Sequence, residues 1–133
     1  MDDVVRIVAY YLEQLRKDEG DDPEMSLIEA DHAVVPLLEA EFSVERDPQV
    51  RRKLIHIIWQ HRLPTSVSIL EEAIADSDPA VWKEALDGLV TLGSREAREV
   101  LKNTLNRSVH HPHRPADFSS WVEEAIQQID DYA

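Results

Sequence analysis

Six histidines, three glycines and no cysteine limit the chemistry open to this chain of 133 residues. His110, His111 and His113 stand together in HHPH, and imidazoles at that density can catch a metal ion. No thiolate is available to complete such a site, and Pro112 and Pro115 fix the backbone around it, so the segment reads as a polar loop and not as a resident metal centre. His56 and His61 are five positions apart, which does not place them on one helix face; core or surface roles are expected for both. No nucleophile elbow surrounds any serine. Gly20, Gly88 and Gly93 are too scattered for a loop that cradles phosphate. No catalytic residue, metal ligand or cofactor is expected, and the chain does not read as an enzyme.

What remains is charge. Residues 31–45 carry Asp31, Glu39, Glu41 and Glu45 with no Lys or Arg, and residues 64–78 carry Glu71, Glu72, Asp76 and Asp78, again without a base. Between them, residues 48–62 reverse the pattern with Arg51, Arg52, Lys53 and Arg62 and no acid. Over the whole chain 27 acidic residues outnumber 14 basic ones, for a formal net charge of −13. That excess argues against direct nucleic-acid binding, since phosphate contacts need a basic face. It favours a basic protein partner instead.

The elements that must position these residues follow from an internal repeat. DPQVRRKLIHIIWQHRLPTSVSILEEAIADS is followed by DPAVWKEALDGLVTLGSREAREVLKNTLNR, with Asp47-Pro48 matching Asp78-Pro79 at a step of 31 positions. Val50 then matches Val81, Leu54-Ile55 matches Ala85-Leu86, and Ile58 matches Leu89. Downstream, Ile69-Leu70 matches Val100-Leu101 and Ile74 matches Leu105. Two short helical patterns per period are the mark of a helical repeat array.

Helices are expected over residues 2–19, 31–45, 48–61, 64–76, 79–92 and 94–107 and near the C-terminus, with a short turn of helix at 24–30. Asp47 is a cap followed by proline at the first helical position, and Asp78-Pro79 repeats that pair at the start of the next period. Gly93 makes a tight turn, and Pro36 either delays or bends its helix. Apolar residues at offsets of four, five and eight recur in Val4/Val8/Ala9/Leu12, Val50/Leu54/Ile55/Ile58, Val81/Ala85/Leu86/Leu89 and Trp121/Ala125/Ile126/Ile129. Four helices thus turn one face to a common core. The expected fold is all-α, an α-α superhelix of about six to seven helices in a single domain over residues 1–133.

The acidic start MDDVVRIVAY and the lack of a membrane-length apolar run lead to the expectation of a soluble cytosolic protein. Aligning PLLEAEF with SILEEAI puts Glu39 beside Glu71 on one ridge. Trp121 falls in the core phase of its helix, Trp59 is expected to be partly buried, and Trp82 stands one step off the core phase, where it would be an exposed anchor.

Asp47-Pro48, Val50-Arg51 and Leu54, followed in the next period by Asp78-Pro79, Val81, Ala85, Leu86 and Leu92-Gly93, resemble the HEAT-like repeat of the phycobilin-lyase type. The resemblance covers about residues 31–107. It departs at Trp82, where that repeat has arginine. No His-Glu dipeptide of the HEAT-like hydroxylases occurs.

The resemblance implies a scaffold for interactions. Small acidic proteins of this kind are similar to immunity proteins, which bacteria encode beside toxic nucleases. On that likeness the expected partner is a basic toxin domain, gripped by Glu39, Glu41, Glu71, Glu72, Asp76 and Trp82. The alternative is a structural adaptor or a lyase-type accessory subunit.

Overall fold

The computed structural model describes residues 3–17, 22–108 and 117–132. Every element among them is helical: α1 (Asp3–Arg16), α2 (Asp22–Glu29), α3 (Val34–Val44), α4 (Pro48–Gln60), α5 (Val67–Ile74), α6 (Pro79–Leu92), α7 (Arg95–Ser108) and α8 (Phe118–Asp131). A single 3₁₀ turn, Pro64–Ser66, leads into α5. The short α2 brings the number one above the expected range. No described helix is long and apolar enough to cross a membrane.

Local chemistry explains the boundaries. Asp47 accepts from the Gln49 N–H at 2.9 Å and Asp78 from the Ala80 N–H at 2.8 Å, each with proline opening the helix behind it. Such a cap is worth about 1 kcal/mol. α3 begins at Val34, which places Pro36 in its first turn, where the missing N–H has no intrahelical partner to lose, and Asp31 turns the chain ahead of α3 by accepting from the Ala33 N–H at 2.8 Å. Gly93 ends α6 in the left-handed region at φ 57°, the conformation glycine adopts at least cost. Its counterpart one period earlier is Arg62, held at φ 55° after α4 despite its Cβ. That position costs roughly 1–2 kcal/mol relative to a relaxed backbone.

The helices form two layers. In one, α2 packs on α4, α4 on α6 and α6 on α8; in the other, α5 packs on α7, while α1 closes the N-terminal end against α2 and α3. The core runs between the layers through Leu38, Phe42, Leu54, Ile55, Ile58, Leu70, Ala73, Val81, Ala85 and Leu89. Layers of paired helices whose stripes merge in this way are the α-α superhelical arrangement. Gly88 brings α4 and α6 together: a Cβ there would lie 2.9 Å from Cβ of Trp59.

Burial corrects the apolar pattern at both ends of the array. All four stripe residues of α4 and all four of α6 are buried. In α1, Ala9 is exposed and the buried set is Val8, Leu12 and Leu15. In α8, Trp121 is 40% exposed and the buried set is Phe118, Val122, Ala125 and Ile129. A helix inside a layer has neighbours on several sides and buries a wide stripe. An end helix has them on one side only and buries a narrow one.

Candidate functional site

The acidic side chains singled out by sequence have three destinations. Glu71 and Glu72 lie on the exposed side of α5. Glu71 approaches Arg107 of α7 at 3.7 Å, and Glu72 has no partner among the described residues. Glu39 is half-buried and accepts from the Ser66 hydroxyl at 3.4 Å, and burial pushes its carboxyl above the usual range. Glu41 is ion-paired to Arg16 of α1, which also binds Glu45 at 2.9 Å. Asp76 belongs to a joint: its carboxylate receives Nε and Nη2 of Arg51, both at 2.8 Å, and its side chain is 10% exposed.

Trp82 requires a correction. It is 1% exposed, edge-on to Phe118 with centroids 4.9 Å apart and to Trp121 at 6.2 Å. The ring fills the space where α6 meets α8, so it is packing and not a surface anchor. It occupies the repeat position of Arg51. The first repeat therefore closes its joint with a guanidinium and the second with an indole.

The sorting of charge by helix also needs revision, because it does not become sorting by face. Arg51 turns back to the C-terminal end of α3, where Nη1 donates to the carbonyls of Phe42 and Glu45, both at 2.8 Å, with the guanidinium 3.9 Å from the Phe42 ring centroid. Lys53 is buried and donates to the Leu15 carbonyl at the end of α1, at 3.3 Å. Arg52 reaches Glu84 of α6 at 3.4 Å, and Arg98 of α7 forks onto Asp130 of α8. Cations at helix C-termini satisfy orphan carbonyls and oppose the negative end of the dipole. The bases of α4 are thus committed to joints between helices, and α4 presents no basic wall.

A polar cluster that sequence reasoning missed sits on the other layer. Glu84 of α6 accepts from Trp59 Nε1 at 2.8 Å and is 3.0 Å from His56 Nδ1; His56 Nε2 lies 3.9 Å from Glu24 of α2. The i,i+3 spacing of His56 and Trp59 puts both on one face of α4, which is the only hint the linear chain carried. Three donors on a single carboxylate, without a nucleophile among them, make a clasp between α4 and α6. The hydrogen bond to Glu84 raises the His56 pKa above its ordinary 6.5, against the opposing effect of burial. Burial alone would raise the Glu84 carboxyl, but the His56 and Trp59 hydrogen bonds and the charges of His56 and Arg52 hold it below 4.5.

These two shifts give the clasp a pH window. A raised histidine contributes stability that is complete below its unfolded value and is lost as pH rises through the folded one; the depressed carboxyl loses its share as pH falls below its ordinary range. The clasp is therefore strongest between about pH 4.5 and 6.5. Urea unfolding at pH 6 and pH 8.5 is expected to show wild type losing more stability than His56→Ala over that interval, by less than about 1 kcal/mol because the ring is partly exposed to solvent.

His61 is buried and joins another contact: Nε2 donates to the Leu27 carbonyl at 2.9 Å, which leaves Nδ1 to accept from His32 Nδ1 at 2.8 Å. It pins the α2–α3 connection to the end of α4. His110, His111 and His113 lie outside the described residues. Among the described residues no group of three or more His, Asp or Glu side chains converges as a metal would need.

The sequence pattern of the HEAT repeats family matches residues 35–114, a span that takes in α4 to α7 whole. No curated protein and no solved structure matches the chain.

Proposed function

The chain belongs to the HEAT repeats family, and from that premise we propose that it is a non-catalytic module that binds a basic protein partner through the outward side of α3 and α5, around Glu71 and Glu72. HEAT repeats suggest a protein-interaction module, since stacked helix pairs offer long surfaces and no built-in reaction centre. One observation carries the choice of partner. Arg16, Arg51, Arg52 and Arg98 each pair with a carboxylate across a joint between helices, and because those pairs cancel, the net charge of −13 rests on the remaining side chains.

The finer form of the proposal is an immunity protein that covers a toxin such as a nuclease. A nuclease needs a basic surface to hold phosphate, and an acidic cover competes for that surface by the same electrostatics. Glu39 and Glu41 would border the contact, Asp76 would support it from the joint, and Trp82 has no part in it.

The test is association with a basic toxin domain, measured at low and high salt for wild type and for Glu71→Lys with Glu72→Lys. Wild type is expected to associate fast and to weaken with salt. The double reversal is expected to slow association roughly tenfold at low salt, since charges at an interface rim act mainly on the on-rate. Binding that ignores both salt and the reversals would overturn the acidic-face reading and favour a structural adaptor. Binding that leaves nuclease activity intact would overturn the immunity reading alone.

A further inference from the structure

A second surface, on the opposite layer and independent of the α3/α5 reading, has the chemistry to hold one kind of side chain. Leu86, Asp87 and Val90 of α6 and Trp121, Glu124 and Gln128 of α8 line a groove between those two helices. Trp121 is 40% exposed there, although the packing of α8 is completed by Phe118, Val122, Ala125 and Ile129. We propose that this groove binds an arginine side chain of a protein partner, with its guanidinium stacked on Trp121 and bonded to the carboxylates of Asp87 and Glu124, and its methylenes against Leu86 and Val90.

Three observations point to that occupant. First, the Trp121 ring already attracts a cation, since the Lys83 ammonium lies 4.5 Å from its centroid. An indole face is the best aromatic platform for such a charge. Second, neither Asp87 nor Glu124 is ion-paired to Lys or Arg among the described residues. Burial and the neighbouring Glu84 push the Asp87 carboxyl up, against the opposing charge of His56. Third, the groove combines apolar walls with carboxylate acceptors, and its lining holds no cationic side chain, its only N–H donors being the Trp121 indole and the Gln128 amide. Arginine fits this better than lysine, because a planar guanidinium can stack on the indole and fork onto two carboxylates together.

Lys83 competes for the Trp121 ring from beside the groove. Whether the arginine displaces it or takes the other ring face, removing it lowers repulsion. Lys83→Met is therefore expected to tighten binding.

The experiment uses the full chain labelled with ¹⁵N and three peptides that differ at one residue: acetyl-Gly-Arg-Gly-amide, its citrulline analogue and its leucine analogue. The Trp121 indole N–H resonance, assigned with Trp121→Phe, reports binding separately from the indoles of Trp59 and Trp82. The arginine peptide is expected to shift it saturably, and the neutral citrulline and apolar leucine peptides are expected to leave it unmoved. Asp87→Asn with Glu124→Gln is expected to weaken the arginine peptide about tenfold. Unchanged spectra elsewhere confirm that each variant is folded. No saturable shift, an equal shift with citrulline or leucine, indifference to the loss of both carboxylates, or weaker binding in Lys83→Met would each overturn the proposal. The α3/α5 reading would stand in every case, because its test uses other residues and another ligand.

Discussion

Trp82→Ala is expected to lower the free energy of unfolding by about 3–5 kcal/mol, the range for deleting a fully buried tryptophan. In a chain of this size the melting temperature should fall by on the order of 10 °C or more. The ring is 1% exposed and meets Phe118 and Trp121 edge-on, so its loss opens a cavity along the seam that holds α8 to α6. In an array where each helix pair leans on its neighbour, the damage should concentrate at that end. Hydrogen exchange is expected to rise first in α8, with α4 much less affected. Trp82→Phe should lose far less, since it keeps an aromatic ring and removes an indole N–H that has no hydrogen-bond partner among the described residues. An alanine variant with wild-type stability and impaired partner binding would return Trp82 to the surface role its off-phase position first suggested.

Arg51→Met is expected to cost about 3 kcal/mol, measured by chemical denaturation. Methionine keeps an apolar stem over Phe42 and removes every donor. The Asp76 carboxylate, 10% exposed, then loses its arginine, and the carbonyls of Phe42 and Glu45 lose the group that closes the end of α3. Most of the cost is a partly buried carboxylate that keeps the Asp78 N–H but loses its cation, not the net worth of the pair. The double variant Arg51→Met with Asp76→Leu should therefore be less destabilised than the two single changes added together, with a coupling of about 1–3 kcal/mol. Arg51→Lys should recover only part of the loss, because a point-like ammonium cannot serve a carboxylate and two carbonyls in one plane. Strict additivity in the double variant would show that Arg51 and Asp76 do not act as a unit.

Trp82 and Arg51 occupy one position of the repeat, and together they mark where the linear reading succeeded and where it did not. The match of Val50 to Val81 and of Asp47-Pro48 to Asp78-Pro79 located both helix starts, and Asp47 and Asp78 cap them by accepting from the Gln49 and Ala80 N–H groups. All eight residues named for the stripes of α4 and α6 are buried, although α4 also buries Ile57 and α6 also buries Trp82. The same rule misjudged Ala9 and Trp121, because the width of a stripe depends on how many neighbours a helix has, and no single helix encodes that number. The candidate site was less legible. Glu71 and Glu72 are exposed on α5, but Glu39 is half-buried against Ser66, Asp76 is held by Arg51 and Trp82 is buried. The clasp of His56, Trp59 and Glu84 gave no sign beyond the spacing of its first two members.

Helices, caps and the apolar stripes could be derived from order along the chain alone, because each arises among residues within about four positions of one another, where helical geometry dictates which side chains share a face, and the repeat shows as likeness between two segments without any knowledge of their contact. The destinations of the charges could not. Arg51 meets Asp76 across 25 positions, Arg16 meets Glu45 across 29 and Lys53 meets the Leu15 carbonyl across 38. Long side chains on a helix flank can swing toward either neighbour or toward water, and only the stacking of the layers decides which helix end lies within reach.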